Sequence, residues 1–66
     1  MENNRIKQIR LKKGMSLIEL AEKSEISAGY LCHLEKGSRK NPSVIIMKKI
    51  SKALGKSITE VFLIDE

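Results

Sequence analysis

Apolar residues recur along this chain at intervals of three and four, with polar residues between them. That is the period of a helix buried on one face, and it predicts helices throughout. The first spans about Asn4 to Lys13, with Ile6 and Ile9 inward, and Gly14 is a left-handed stop behind Lys12 and Lys13. In MSLIEL, Ser16 caps a second helix, Glu19 returns the bond, and Met15 can pack on Leu20. This capping box with a hydrophobic staple opens a helix over about 17–23, with Leu20 and Ala21 inside. The link Ser24-Glu25-Ile26 is so short that the next helix must turn sharply. Ser27 caps that third helix (about 27–36), Tyr30, Leu31 and Leu34 form its inner stripe, and Gly37 closes it. After SRKNP, Ser43 caps a fourth helix with Val44, Met47, Ile50 and Leu54 on one face, ended by Gly55. Ser57 and Glu60 form a second capping box, opening a short fifth helix with Ile58, Val61 and Phe62. The pattern predicts an all-α, compact five-helix bundle, and residues 1–66 are expected to form a single domain.

Sixty-six residues bury only about 60% of their unfolded surface, so the expected stability is about 3–10 kcal/mol. A ligand-sensing module does not fit beside one such core, so regulation is expected from outside or from a longer parent chain. Thirteen Lys and Arg against eight Asp and Glu give a net charge of +5, which favours a polyanionic partner, although a merely solvated surface fits the charge too. The only aromatics are Tyr30 and Phe62, too few for single-strand binding by base stacking. A lone Cys32 excludes a disulfide framework and suits a reducing cytosol, and with a lone His33 it cannot supply the four ligands of structural zinc. No apolar run has the length of a membrane span, and the polar start MENNR does not read as a signal peptide. Neither a membrane partner nor a cofactor is expected.

Two helices joined by so short a turn, the second short and capped, have helix-turn-helix geometry. The ordered segments RIKQIRLKKGMSLIELAEKSEIS, YLCHLEKG, NPS and MKKISKALGKSITEVF sharpen this. They resemble the Cro/CI-type helix-turn-helix family of phage and bacterial repressors (the XRE family) over residues 5 to 62, and within it the SinR-type DNA-binding domains of spore-forming bacteria. The resemblance implies a lambda-repressor-like bundle whose third helix lies in the major groove, with Ala28, Gly29, Cys32 and His33 toward base edges. It implies phosphate contacts from the amides around Ser16 and Leu17, from Ser27, Tyr30 and Lys36, from Arg39, Lys40 and Asn41, and from Ser43 at the start of helix 4. The Tyr30 ring also fits the core, and His33 also fits a plain solvated position. The family pairs the positions of Arg10 and Glu35 as a partly buried ion pair that fixes helix 3; two solvated charges are the alternative.

Three positions depart from the pattern. Glu25 stands where relatives most often have Gly, and a left-handed Glu25 would store about 1 kcal/mol of strain. Leu17 replaces a Gln that braces the backbone contact. The outward residues of helix 3 are small or weakly coding, so shape, phosphate clamping and paired half-sites must supply much of any specificity.

The expected function is a sequence-specific regulator that binds double-stranded DNA, a repressor, acting as a homodimer at least on DNA. The setting implied is cytoplasmic, bacterial or phage-encoded and nucleoid-associated, with an antagonist protein as a further partner. The small residues 28 and 29 and the leftover apolars Leu17, Ile18, Ile45, Ile46, Leu63 and Ile64 also fit a protein-interaction module, an adaptor, antirepressor or antitoxin that keeps the fold without base reading. The helix 4–helix 5 side or the tail VFLIDE is the expected self-association surface; alternatively Leu63 and Ile64 cover the base of the bundle. An enzyme is not expected: adjacent Cys32 and His33 diverge by about 100° on a helix, and no phosphate-cradling glycine loop or liganding carboxylate cluster is present.

Overall fold

The chain starts its first helix later than its periodicity suggests, and the reason lies in Asn4. In the computed structural model, which describes residues 4–37 and 42–62, Asn4 stands outside the helix and is buried. Its Oδ1 accepts from the Ile6 amide at 3.1 Å, while its Nδ2 donates to the Leu34 carbonyl at 3.0 Å. The neighbouring Arg5 amide donates to the Val61 carbonyl at 2.7 Å. Helix α1, Ile6–Lys12, is therefore tied at its mouth to two distant helices. Gly14, at φ 67°, provides the left-handed turn that follows.

Helix α2, Leu17–Ser24, opens with both bonds of the capping box, Glu19 N to Ser16 Oγ and Ser16 N to Glu19 Oε1, each 3.0 Å. It runs one residue past Lys23, because the buried Ser24 hydroxyl folds back to donate to the Leu20 carbonyl at 2.6 Å. Glu25 then takes the left-handed conformation at φ 59°, and the Ile26 amide returns to the Ala21 carbonyl at 3.2 Å. This is the only non-glycine residue with positive φ among those described. Glu25→Gly is expected to raise stability by about 1 kcal/mol, because the exposed Glu25 gains no side-chain bond for its strain; urea denaturation measures it.

Helices α3, Ala28–Lys36, α4, Val44–Leu54, and α5, Ile58–Phe62, complete five helices among the described residues. Ser27 and Ser43 cap α3 and α4, accepting from the Tyr30 and Ile46 amides. The second capping box is formed too: Ser57 N donates to Glu60 Oε1 at 3.1 Å and Ser57 Oγ accepts from Glu60 N at 3.2 Å. The Ser57 amide first, then its hydroxyl, hold the Glu60 carboxyl below the usual carboxylate range, with Lys56 and Arg5 adding to the effect. With a depressed folded pKa, Glu60 contributes stability above the ordinary carboxylate pKa and loses it as pH falls through the folded one. The exposed site keeps that contribution small.

The core joins all five helices through Ile6, Leu20, Leu31, Leu34, Ile50, Leu54, Val61 and Phe62, with Met15 ahead of α2. Ile9, Ala21, Tyr30, Met47 and Ile58, expected inside, are half-buried at its margin. Val44 departs further. It continues the Met47–Ile50–Leu54 face one turn toward the mouth of α4 and is 57% exposed. Ser51 takes a core position that the apolar pattern does not reveal, and its hydroxyl has no hydrogen-bond partner among the described residues. Of the leftover apolars, Leu17 and Ile46 pack against the core, Ile18 and Ile45 are exposed, and Leu63 and Ile64 lie outside the described residues. No helix is long and apolar enough to cross a membrane.

Candidate nucleic-acid interface

What α3 does depends on what holds it from behind. Its buried positions are Leu31, Leu34 and Glu35. Glu35 meets Arg10 of α1 in a two-pronged pair: Arg10 Nε to Glu35 Oε2 at 2.8 Å and Arg10 Nη2 to Glu35 Oε1 at 3.2 Å. The third prong, Nη1, donates to the Met15 carbonyl at 3.0 Å. Both side chains are nine-tenths buried. The bond from Glu35 raises the Arg10 guanidinium above its already high ordinary value, against the opposing effect of burial. A planar fork satisfied on three sides is rigid, so α3 is fixed in rotation as well as position. Asn4 adds a further tether at the Leu34 carbonyl.

With that face pinned, Gly29, His33 and Lys36 are exposed on the opposite side, flanked by half-buried Ala28 and Cys32. Space over this face is open: a Cβ built on Gly29 meets nothing within 4 Å. Tyr30 is half-buried and packs against the core, which accommodates its ring. Ser27 is exposed at the helix mouth.

The flanking helix starts differ in what they offer. At α2 the Ser16 amide is taken by Glu19, so it is not free as expected; the hydroxyl hydrogen is what Ser16 can still donate. The Leu17 amide, in the first helical turn, has no helical acceptor and points out of the helix end. The Glu19 carboxylate beside it opposes an incoming anion. At α4, Ser43 accepts from Ile46, leaving the first amides of that helix without helical acceptors. Arg39, Lys40 and Asn41 lie outside the described residues. No group of three or more His, Cys, Asp and Glu that could hold a metal occurs among the described residues.

The Asn4 tether escapes sequence reasoning, because its partner lies thirty residues away and the position resembles an ordinary helix start. A short turn joins α2 to a pinned helix with an open outer face, and this defines a helix-turn-helix unit. The chain belongs to the helix-turn-helix family of the Cro/CI (XRE) type, whose model matches residues 6–61. It is 43% identical to the HTH-type transcriptional regulator SinR of Bacillus subtilis (strain 168) over 58 residues, 88% of this chain and 52% of that protein. The chain thus spans about half the length of that relative. Among solved structures it is similar to the master regulator for biofilm formation SinR in complex with DNA: TM-score 0.78, 44% identity, 82% of this chain and 86% of that one. It is also similar to a SinR chain in a SinR–SinI protein complex, with TM-score 0.81, 42% identity, 89% of this chain and 57% of that one.

Proposed function

We propose that the chain is the DNA-binding part of a sequence-specific transcriptional regulator, a repressor that binds double-stranded DNA as a dimer on paired half-sites with α3 in the major groove. The observation that carries this is the open face of a helix pinned rigidly from behind. It is supported by the likeness to SinR, whose related structure is a complex with DNA. Ala28, Gly29, Cys32 and His33 face the base edges: Gly29 allows the backbone to approach closely, the Ala28 methyl meets a thymine methyl, and His33 donates to guanine. Ser16, Leu17, Ser27, Tyr30, Lys36 and Ser43 contact phosphates, joined by Arg39, Lys40 and Asn41, which follow α3 in the sequence. Arg10 and Glu35 position α3 and touch no DNA. So small a reader needs two copies for tight specific binding, and the exposed Val44 and Ile45 place apolar surface on the α4 side for pairing.

Titration of a selected duplex at two salt concentrations tests the reading. Affinity is expected to fall about a thousandfold between about 50 and 200 mM salt, through counterion release. Salt-independent affinity contradicts it.

A second reading has its own support: a related SinR chain is seen in a complex with SinI, and Ile18, Val44 and Ile45 are exposed here. In it the domain binds a protein partner without reading bases. A stoichiometric protein complex from a chain that shifts no selected duplex distinguishes it.

A further inference from the structure

Much of the positive charge lies away from α3. Arg5, Lys12 and Lys13 of the α1 segment, with Lys56 and Glu60 near the start of α5, line a concave groove along which the half-buried Ile9 supplies apolar surface. Lys12 follows Arg10 by two positions, so the two side chains leave α1 about 160° apart. Arg10 grips α3, and the Lys12 side of α1 therefore faces away from the reading helix.

Four cations meet one carboxylate here, that of Glu60, whose Oε1 accepts from the Ser57 amide at 3.1 Å and from its hydroxyl at 3.0 Å. Glu60 offsets part of the charge of Lys56 and Arg5, and the lining keeps an excess of positive charge. No carboxylate among the described residues lies within 4 Å of the nitrogens of Arg5, Lys12, Lys13 or Lys56. Lys13 leans over the end of α4, its Nζ 3.7 Å from where a Gly55 Cβ would stand. Like charges gathered in a concavity repel one another, and an anionic guest relieves that repulsion.

We propose that this groove docks an acidic peptide segment of a partner protein, its carboxylates on Arg5, Lys12, Lys13 and Lys56 and an apolar side chain against Ile9. The mixed lining favours a peptide over nucleic acid. A duplex offers this concave face only its phosphates, whereas a peptide supplies both carboxylates for the cations and an apolar side chain for Ile9. Placed behind the reading helix, the groove can hold a partner while α3 faces DNA.

The test uses a labelled peptide of alternating glutamate and leucine, followed by fluorescence anisotropy at low ionic strength. A second lysine cluster provides the control, because Lys49 and Lys52 line a separate notch with Lys23. Lys12→Glu with Lys56→Glu is expected to weaken peptide binding by about tenfold or more, while the charge-matched Lys49→Glu with Lys52→Glu changes it by less than about twofold. If the reversed groove does not fold by circular dichroism, Lys12→Ala with Lys56→Ala gives the same ordering with a smaller loss. Equal weakening by groove and notch variants, or no binding by the wild type, overturns the proposal. So does duplex affinity that falls further in the groove variant than in its charge-matched control, which reassigns the groove to nucleic acid.

Discussion

Arg10→Ala is expected to lower the unfolding free energy by about 3–5 kcal/mol, and Glu35→Ala by a similar amount. Both groups are nine-tenths buried, so removing either leaves the other desolvated without its partner. Arg10→Ala also orphans the Met15 carbonyl ahead of α2. In a domain whose total stability is about 3–10 kcal/mol, such a loss removes about a third or more of it, and at the low end of that range leaves the variant largely unfolded. Arg10→Lys keeps the charge but has no planar fork for Glu35 and Met15 together, and an intermediate loss follows. Replacing the pair by Arg10→Met with Glu35→Leu is expected to recover most of the stability, since apolar packing needs no desolvation of charge. Urea denaturation of the four variants measures this. A Glu35→Ala variant within about 1 kcal/mol of wild type would place the pair among ordinary surface pairs.

At Gly29, stability and binding are expected to move in opposite directions. A Cβ there meets nothing, so Gly29→Ala removes the flexibility penalty of a helical glycine and stabilises the fold by about 0.5–1 kcal/mol. If the open face approaches bases closely, the same methyl weakens duplex binding by about tenfold, equivalent to the loss of one good contact. Gly29→Glu sharpens the contrast: a carboxylate in the first turn suits the helix end but repels DNA. It is expected to keep near-wild-type stability and to lose duplex affinity by more than about a hundredfold. Thermal denaturation and duplex titration of the same preparations decide it. Unchanged affinity in Gly29→Glu separates α3 from any DNA contact.

The elements were legible because their ends carry local chemistry. Ser16 with Glu19, Ser27, Ser43, and Ser57 with Glu60 each cap within a few residues, and glycines close three helical segments with positive φ. Glu25 was legible as a departure, and the left-handed conformation follows from the tightness of the turn rather than from its own preference. What escaped was set by distance. Asn4 looks like a helix start, but its hydrogen bond to Leu34 keeps it outside. Val44 has the right period yet sits where the helix outruns the core, and Ser51 has the wrong polarity for the core position it fills. Periodicity identifies a face; it does not show where along the helix that face is covered. The candidate site follows the same rule. The outward set on α3 could be read from the positions opposite Leu31 and Leu34. The capping box read in MSLIEL already implies that Glu19 occupies the Ser16 amide, which the family's phosphate contact at that position left out of account.

Amide chemical-shift mapping of the labelled domain during titration with a selected duplex tests the central claim most directly. The largest shifts are expected at Ser27, Ala28, Gly29 and His33, with a second set at Leu17 and at the amides following Ser43. Shifts gathered on Lys12, Lys13 and Lys56, with the amides of α3 unmoved, would contradict it.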